Sequence, residues 1–227
     1  MLRKTIKLFL RLSTAGMKLS PYHMNRFYMY LSIQAAMAKA GMAKPGDKIL
    51  SVSWSEDLIR CFTPEAAVNR AIEADKRGEI DPDITFARYR REDDPGSVDI
   101  RKLPYPDNTF SFVAADQVLE HVDGRWDVAF DECHRVLRPG GIAILTTCLL
   151  QEIHEVPHDY IRVTPFGLKL FSRKFSEIIE VKGWGNKLAF FAFRYMKVPL
   201  ASWHPVHKIA MWNDREAPML TWVVARK

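Results

Sequence analysis

Residues 125–147 read RWDVAFDECHRVLRPGGIAILTT. RWDVAFDECHRVL has the make-up of a helix, and RPGG closes it. Arg138 is placed in the last helical turn, Pro139 prevents continuation, and Gly140–Gly141 supply the left-handed geometry that releases the chain. IAILTT then follows as a buried strand. The same alternation extends in both directions. Before it come a long helix from about residue 21 to 43 ended by KPGD, a strand at KILSVSW (48–54), a helix over 64–76, and strands at ITFARY (84–89) and FSFVAA (110–115). After it, SEIIEVKGW (176–184) and MLTWVVARK (219–227) read as two further strands. Strands alternating with helices imply an α/β, doubly wound, mostly parallel sheet. The two late strands, which flank a long insert, predict an antiparallel partner at the sheet edge.

In such sheets a ligand lies beyond the carboxyl ends of the strands, where the strand order reverses. That directs attention to residues 51–57, 89–94, 99–102, 115–121 and 146–162.

The chain has 227 residues, 48% hydrophobic and 26% charged, which are globular rather than disordered proportions. Three cysteines without CxxC spacing argue against a disulfide framework and for a reducing compartment. No apolar run reaches the roughly 18 residues needed to span a bilayer. The expected location is the cytoplasm, with peripheral membrane contact through the N-terminus as one alternative.

The net charge of +6 is unevenly placed: eight basic residues and no acidic one precede Asp47. Removing those eight from the 33 Lys and Arg leaves 25 against 27 Asp and Glu, so the body has no basic excess and nucleic acid is an unlikely partner. Within LRKTIKLFLRLS (2–13), Leu2, Ile6, Phe9 and Leu10 make an apolar helical stripe beside Arg3, Lys4, Lys7 and Arg11. Such a helix packs on its own domain, lies on an anionic membrane or in a partner's groove, or serves as a transit peptide. The division expected is a basic helical arm (1–45) and a main domain (46–227). The latter carries an aromatic-rich insertion at about 186–215, including LAFFAFRY (188–195), Trp203 and Trp212. Core packing, a lid over an apolar acceptor, or a membrane-touching surface are its possible uses.

Three segments in order, DIRKLPYPDNTFSFVAADQVLEHV (99–122), FDECHRVLRPGGIAILTT (130–147) and HEVPHDYIRVTPFGLKLF (154–171), resemble the class I S-adenosylmethionine-dependent methyltransferases, within them the small type-11 methyltransferase-domain group. The resemblance runs from about Lys48 to Phe171 and includes the closing strand. It implies a Rossmann-like, seven-stranded sheet preceded by N-terminal helices, and S-adenosylmethionine as cofactor.

By that resemblance the cofactor-binding positions are Ser51, Ser53, Ser55, Asp57, Asp99, Ile100 and Asp116, with Asp99 equally readable as a carboxylate that caps its own turn. The family carries an acid where Ser51 stands, and glycines where Ser53, Ser55 and Asp57 stand. Glycine there allows positive φ and lets backbone N–H groups close on the ligand. Three replacements at about 1 kcal/mol each remove about 3 kcal/mol, roughly a hundredfold in affinity. Glu56 and Asp57 add negative charge where the ligand's carboxylate is expected. The ribose-holding acid after the second strand is replaced by Tyr89, Arg90 and Arg91, with Glu92 or Asp93 nearest, and the family's FD before the fourth strand becomes Phe110–Ser111.

On the acceptor side the resemblance offers His154, His158 and Asp159 as catalytic candidates and Tyr160 and Arg162 as substrate contacts. The competing reading pairs Asp159 with Arg162 to pin the loop, while Thr164–Pro165 caps the next helix. HEVPH (154–158) matches the metalloprotease pattern H-E-x-x-H as text, but Pro157 forbids the helix that pattern needs, so no metal is assigned. Two functions stay open. One is a methyltransferase with a weakened cofactor site acting on a small-molecule, glycan or lipid-linked acceptor. The other is an inactive methyltransferase-fold protein serving as a binding or scaffold subunit for a protein partner.

Overall fold

The computed structural model describes residues 21–89, 97–195, 209 and 211–227. The basic stretch 2–13, Arg90, Arg91, Glu92, Asp93 and Trp203 lie outside the described residues.

Five strands run parallel: β1 (Ile49–Val52), β2 (Ile84–Tyr89), β3 (Ser97–Val98), β4 (Phe110–Asp116) and β5 (Leu137–Cys148). With β6 (Glu177–Trp184) and β7 (Leu220–Arg226) they form one seven-stranded sheet in the order β3-β2-β1-β4-β5-β7-β6. The chain winds from β1 outward to β3, then restarts at β4 beside β1. The strand order therefore reverses between β1 and β4. Every residue of β1 and β4 is buried, as expected of parallel strands covered on both faces. One core layer gathers Met29, Ile33, Met37, Phe62 and Trp222. The other gathers Leu50, Val113, Phe130, Leu145 and Leu168.

The antiparallel strand is β7, which pairs with β5 from Ile142↔Arg226 to Cys148↔Leu220 and with β6 on its other side. It lies one place in from the edge, with β6 outermost.

Helix α1 (Pro21–Ala40) buries Met29, Ile33 and Met37, spaced four apart on one face, against the sheet. Tyr28 stacks on Trp184 of β6 at 4.8 Å, and Arg226 of β7 donates to the Ala40 carbonyl. This part of the arm shares the core of the domain. The short α2 (Glu56–Ile59) begins at Ser55, and α3 (Glu65–Lys76) leads to β2.

Helix α4 (Trp126–Val136) ends earlier than the sequence suggests. Leu137 is already extended (φ −71°, ψ 138°), so Arg138 stands in β5 rather than in the helix's last turn, and it pairs with Asp47 at 2.7 Å. Gly140 has the expected positive φ of 77°. Gly141 does not; it is required by close approach, because a Cβ there would lie 2.9 Å from the Arg138 carbonyl oxygen and 3.0 Å from that of Ser111. Helix α5 (Pro165–Phe171) starts as read from the sequence: Thr164 Oγ1 accepts from the Gly167 amide at 3.1 Å, and Pro165 follows it. In the aromatic-rich insertion, Asn186 caps α6 (Lys187–Arg194) and donates to the carbonyls of Ile209 and Trp212. Among the described residues no helix is long and apolar enough to cross a membrane.

Candidate active site

Leaving β1, the chain takes left-handed backbone at Ser53 (φ 71°) and Trp54 (φ 36°). The conformation that favours glycine is thus retained with a serine and a tryptophan in it. The Ser53 amide donates to the Ala87 carbonyl at 2.8 Å, and the Ser55 amide to Ser51 Oγ at 3.3 Å. Both N–H groups are therefore used inside the fold. The Trp54 ring stacks on Phe86 of β2, centroids 4.7 Å apart and planes 12° from parallel. The cleft beside it stays open as a cavity of about 610 Å³ at the carboxyl ends of β1 and β4, where the order reverses.

At one end of this cavity carboxylates converge. Asp116 Oδ1 accepts from Thr146 Oγ1 at 2.5 Å, and Oδ2 accepts from Tyr30 Oη and Ser55 Oγ at 2.7 Å each. Arg26 stands 3.5 Å from the same carboxylate. Burial pushes the Asp57 carboxyl above its ordinary range, helped by the negative charges of Glu56 and Asp116. Burial also raises the Tyr30 hydroxyl well above its usual value, with Asp116 adding to it. Arg26 and Tyr30 come from α1, and no feature of the sequence pointed to either.

The other end is built from the 3-10 turn Leu119–His121 after β4 and the loop after β5. Gln117, His121, Gln151, His154 and Glu155 line it. His121 and His154 meet edge to face, ring centroids 4.9 Å apart. Glu120 is fully buried, and burial raises its carboxyl pKa. Its Oε2 accepts from Thr147 Oγ1 at 2.8 Å. Residues 115–121 were singled out by position, but neither Glu120 nor His121 was nominated. The signal was the LEH of the quoted segment.

Of the residues nominated from sequence, Ser53, Ser55, Asp57, Asp116 and His154 line the cavity together. Ser51 lies buried beneath the turn, accepting from Ser55. Asp99 takes hydrogen bonds from the Arg101 amide (2.9 Å) and guanidinium (2.8 Å), and Ile100 is fully buried in the core. Asp159 and Arg162 form a bidentate pair at 2.5 and 2.7 Å, which holds the Asp159 carboxyl down at about 2. Asp159 also accepts from the His154 amide at 2.8 Å. His158 is exposed, its Nδ1 3.0 Å from Tyr160 Oη. No helix runs through His154 to His158, so the two do not share a helical face.

Comparison with known proteins adds three findings. A family model described as a methyltransferase domain matches residues 79–145. The chain is 32% identical over 126 residues to 27-O-demethylrifamycin SV methyltransferase of Amycolatopsis mediterranei, covering 49% of this chain and 43% of that protein. It is 36% identical over 105 residues to a protein of Mycolicibacterium smegmatis described as a "Probable S-adenosylmethionine-dependent methyltransferase", covering 43% of this chain and 37% of that one. The matches thus span less than half the length of these relatives. In fold the chain is similar to the [4+2]-cyclase SpnF, with a TM-score of 0.50, 21% identity, and coverage of 86% of this chain and 80% of that one. By its strand order and the cavity at the reversal between β1 and β4, the chain has the Rossmann-like fold of the class I S-adenosylmethionine-dependent methyltransferases, and over residues 79–145 it is similar to their methyltransferase domain.

Proposed function

We propose that this chain is an S-adenosylmethionine-dependent methyltransferase of weakened cofactor affinity that acts on a hydroxyl of a small-molecule, glycan or lipid-linked acceptor. The observation that carries this reading is the open 610 Å³ cavity at the switch point, with charged groups at one end and two imidazoles at the other. A pocket of that volume is in the range of small-molecule sites.

The residues present fit the amino-acid half of the cofactor by charge. Arg26 complements a carboxylate, and Asp57 and Asp116 complement an ammonium and a sulfonium. Arg26 thereby offsets the acidic turn, which by itself repels a carboxylate. The fit is loose because the Ser53 and Ser55 amides are engaged elsewhere. When bound, the cofactor would supply an electrophilic methyl group on sulfur to an acceptor oxygen. The chain's own part is to align the acceptor and receive its proton. His154 is positioned for this: its Nδ1 faces the Glu152 carbonyl at 3.1 Å, so Nδ1 carries the hydrogen and Nε2 the lone pair. An oxygen acceptor is supported by the similar rifamycin enzyme, whose name places its methyl on oxygen.

A second reading, a scaffold on this fold without methyl transfer, draws on the strained, acid-rich turn at Ser53–Asp57 and on the fold's likeness to a cyclase. Calorimetric titration with S-adenosylmethionine and its demethylated product separates the two. Saturable binding, about a hundredfold weaker than a glycine turn would give, is the expected result. No heat and no thermal shift at millimolar ligand would leave only the scaffold.

A further inference from the structure

Glu120, His121 and His154 present ligand atoms that all lie within 4.8 Å of one another. Glu120 is fully buried, and its Oε1 has no hydrogen-bond partner among the described residues. A buried carboxylate oxygen without a partner is uncommon and calls for a bound group. Both histidines are oriented by their other ring nitrogen. His121 Nδ1 lies 2.6 Å from the His158 carbonyl oxygen, and His154 Nδ1 lies 3.1 Å from that of Glu152 and 3.2 Å from Asp159 Oδ2. A carbonyl only accepts, so each Nδ1 carries the hydrogen and each Nε2 is left with a lone pair. Metal-ligating histidines are held in this way, with the far N–H on a carbonyl or carboxylate.

From this arrangement we propose that Glu120, His121 and His154 form a divalent transition-metal site at the acceptor end of the cavity. Two imidazoles and one carboxylate favour zinc or its first-row neighbours over magnesium or calcium. Metal–ligand distances of roughly 2.0–2.2 Å put ligand atoms about 3–3.6 Å apart, so side-chain shifts of about 1 Å close the set. The ligands come from two segments that are already tied together, since the Tyr160 amide donates to the Glu120 carbonyl at 2.8 Å and His121 bonds to the His158 carbonyl. His121 and His154 line the cavity, so the coordination left open by three protein ligands is available to an acceptor oxygen. With the ion bound, both Nε2 lone pairs are committed. The acceptor hydroxyl is then acidified by coordination instead of by His154 acting as base. That use of the ion rests on the methyltransferase reading, whereas its binding does not.

The test is titration of chelator-treated full chain with zinc alone, with cobalt as a spectroscopic reporter and magnesium for comparison, all without S-adenosylmethionine. Expected are one zinc per chain, cobalt absorption of a nitrogen- and oxygen-ligated ion, and weak or no magnesium binding. His121→Gln and His154→Gln each lower zinc affinity by about a hundredfold or more, beyond what loss of an outer-shell partner does. His158→Gln, which would remove a ligand only if H-E-x-x-H were the site, leaves zinc affinity unchanged. Glu120→Gln tests the carboxylate, and if it fails to fold the two histidine variants still decide. No saturable zinc binding, or binding that survives both histidine substitutions, overturns the site. A chain that binds zinc but no S-adenosylmethionine keeps this site and loses the methyltransferase reading; the reverse result does the opposite.

Discussion

Ser53 and Trp54 hold left-handed backbone without being glycine, and this can be measured directly. Ser53 Oγ also donates to the Asp116 carbonyl at 3.1 Å. Ser53→Ala and Ser53→Gly both lose that hydrogen bond, but only glycine relieves the φ of 71°. The glycine variant is expected to be more stable than the alanine variant by about 1 kcal/mol, or roughly 2–4 °C in melting temperature for a chain of this size. Equal stabilities would show that the turn is unstrained. The sequence showed at this position a turn short of glycine, and it could show no more. Whether the backbone keeps positive φ when glycine is gone depends on its surroundings, here Ala87, Asp116 and the Trp54–Phe86 stack.

The loop after β5 carries a buried ion pair between Asp159 and Arg162. The Asp159 side chain is 1% exposed, takes two hydrogen bonds from Arg162 and one from the His154 amide, and its carboxyl is held at about 2. The unfolded value is roughly 3.9. A carboxylate with a lowered folded-state value contributes stability that is fully present above the unfolded value and is lost as pH falls through the folded one. The contribution is about 2 kcal/mol, lost between roughly pH 5 and pH 1. Asp159→Asn should therefore be less stable by at least about 2 kcal/mol at neutral pH and should lack this acid limb. An unchanged pH dependence in denaturant titrations would show that the pair does not hold the loop. The sequence offered the Asp159–Arg162 pin as one of two readings, because charges three apart in a loop either pair or face a ligand. It also gave the helix start at Thr164, a local signal in which cap and proline are adjacent. The end of α4 was misread because Arg138-Pro139 resembles a helix stop. There β4 pairing draws Leu137 into extended backbone at once.

At the scale of the whole molecule, the alternating strands and helices made the sheet legible, and its reversal point located the cleft. The walls were legible only in part: Ser53, Ser55, Asp57, Asp116 and His154 were, but Arg26 and Tyr30 were not, because they reach the cavity from a helix that precedes β1 and packs on β6 and β7. Charge distribution is legible from sequence alone, and it supports a proposal for the first 20 residues. They hold five basic residues and no acidic one, and each basic residue near an anionic surface contributes about 1 kcal/mol. Deleting residues 1–20 is expected to abolish cosedimentation with phosphatidylserine-containing vesicles while leaving neutral vesicles unaffected. Undiminished binding would exclude the arm as the membrane contact.

The place of β7 has a consequence for the order in which the chain takes shape during synthesis. β6 pairs only with β7 in the sheet, yet β7 is made after it, with the aromatic-rich insertion between them. A nascent chain that has released β6 can assemble β1 to β5, but β6 has no strand to join until Leu220–Arg226 leave the ribosome. Over that interval one face of the sheet edge stays open to other strands. The insertion therefore sets the length of a waiting period as well as whatever it does in the finished protein.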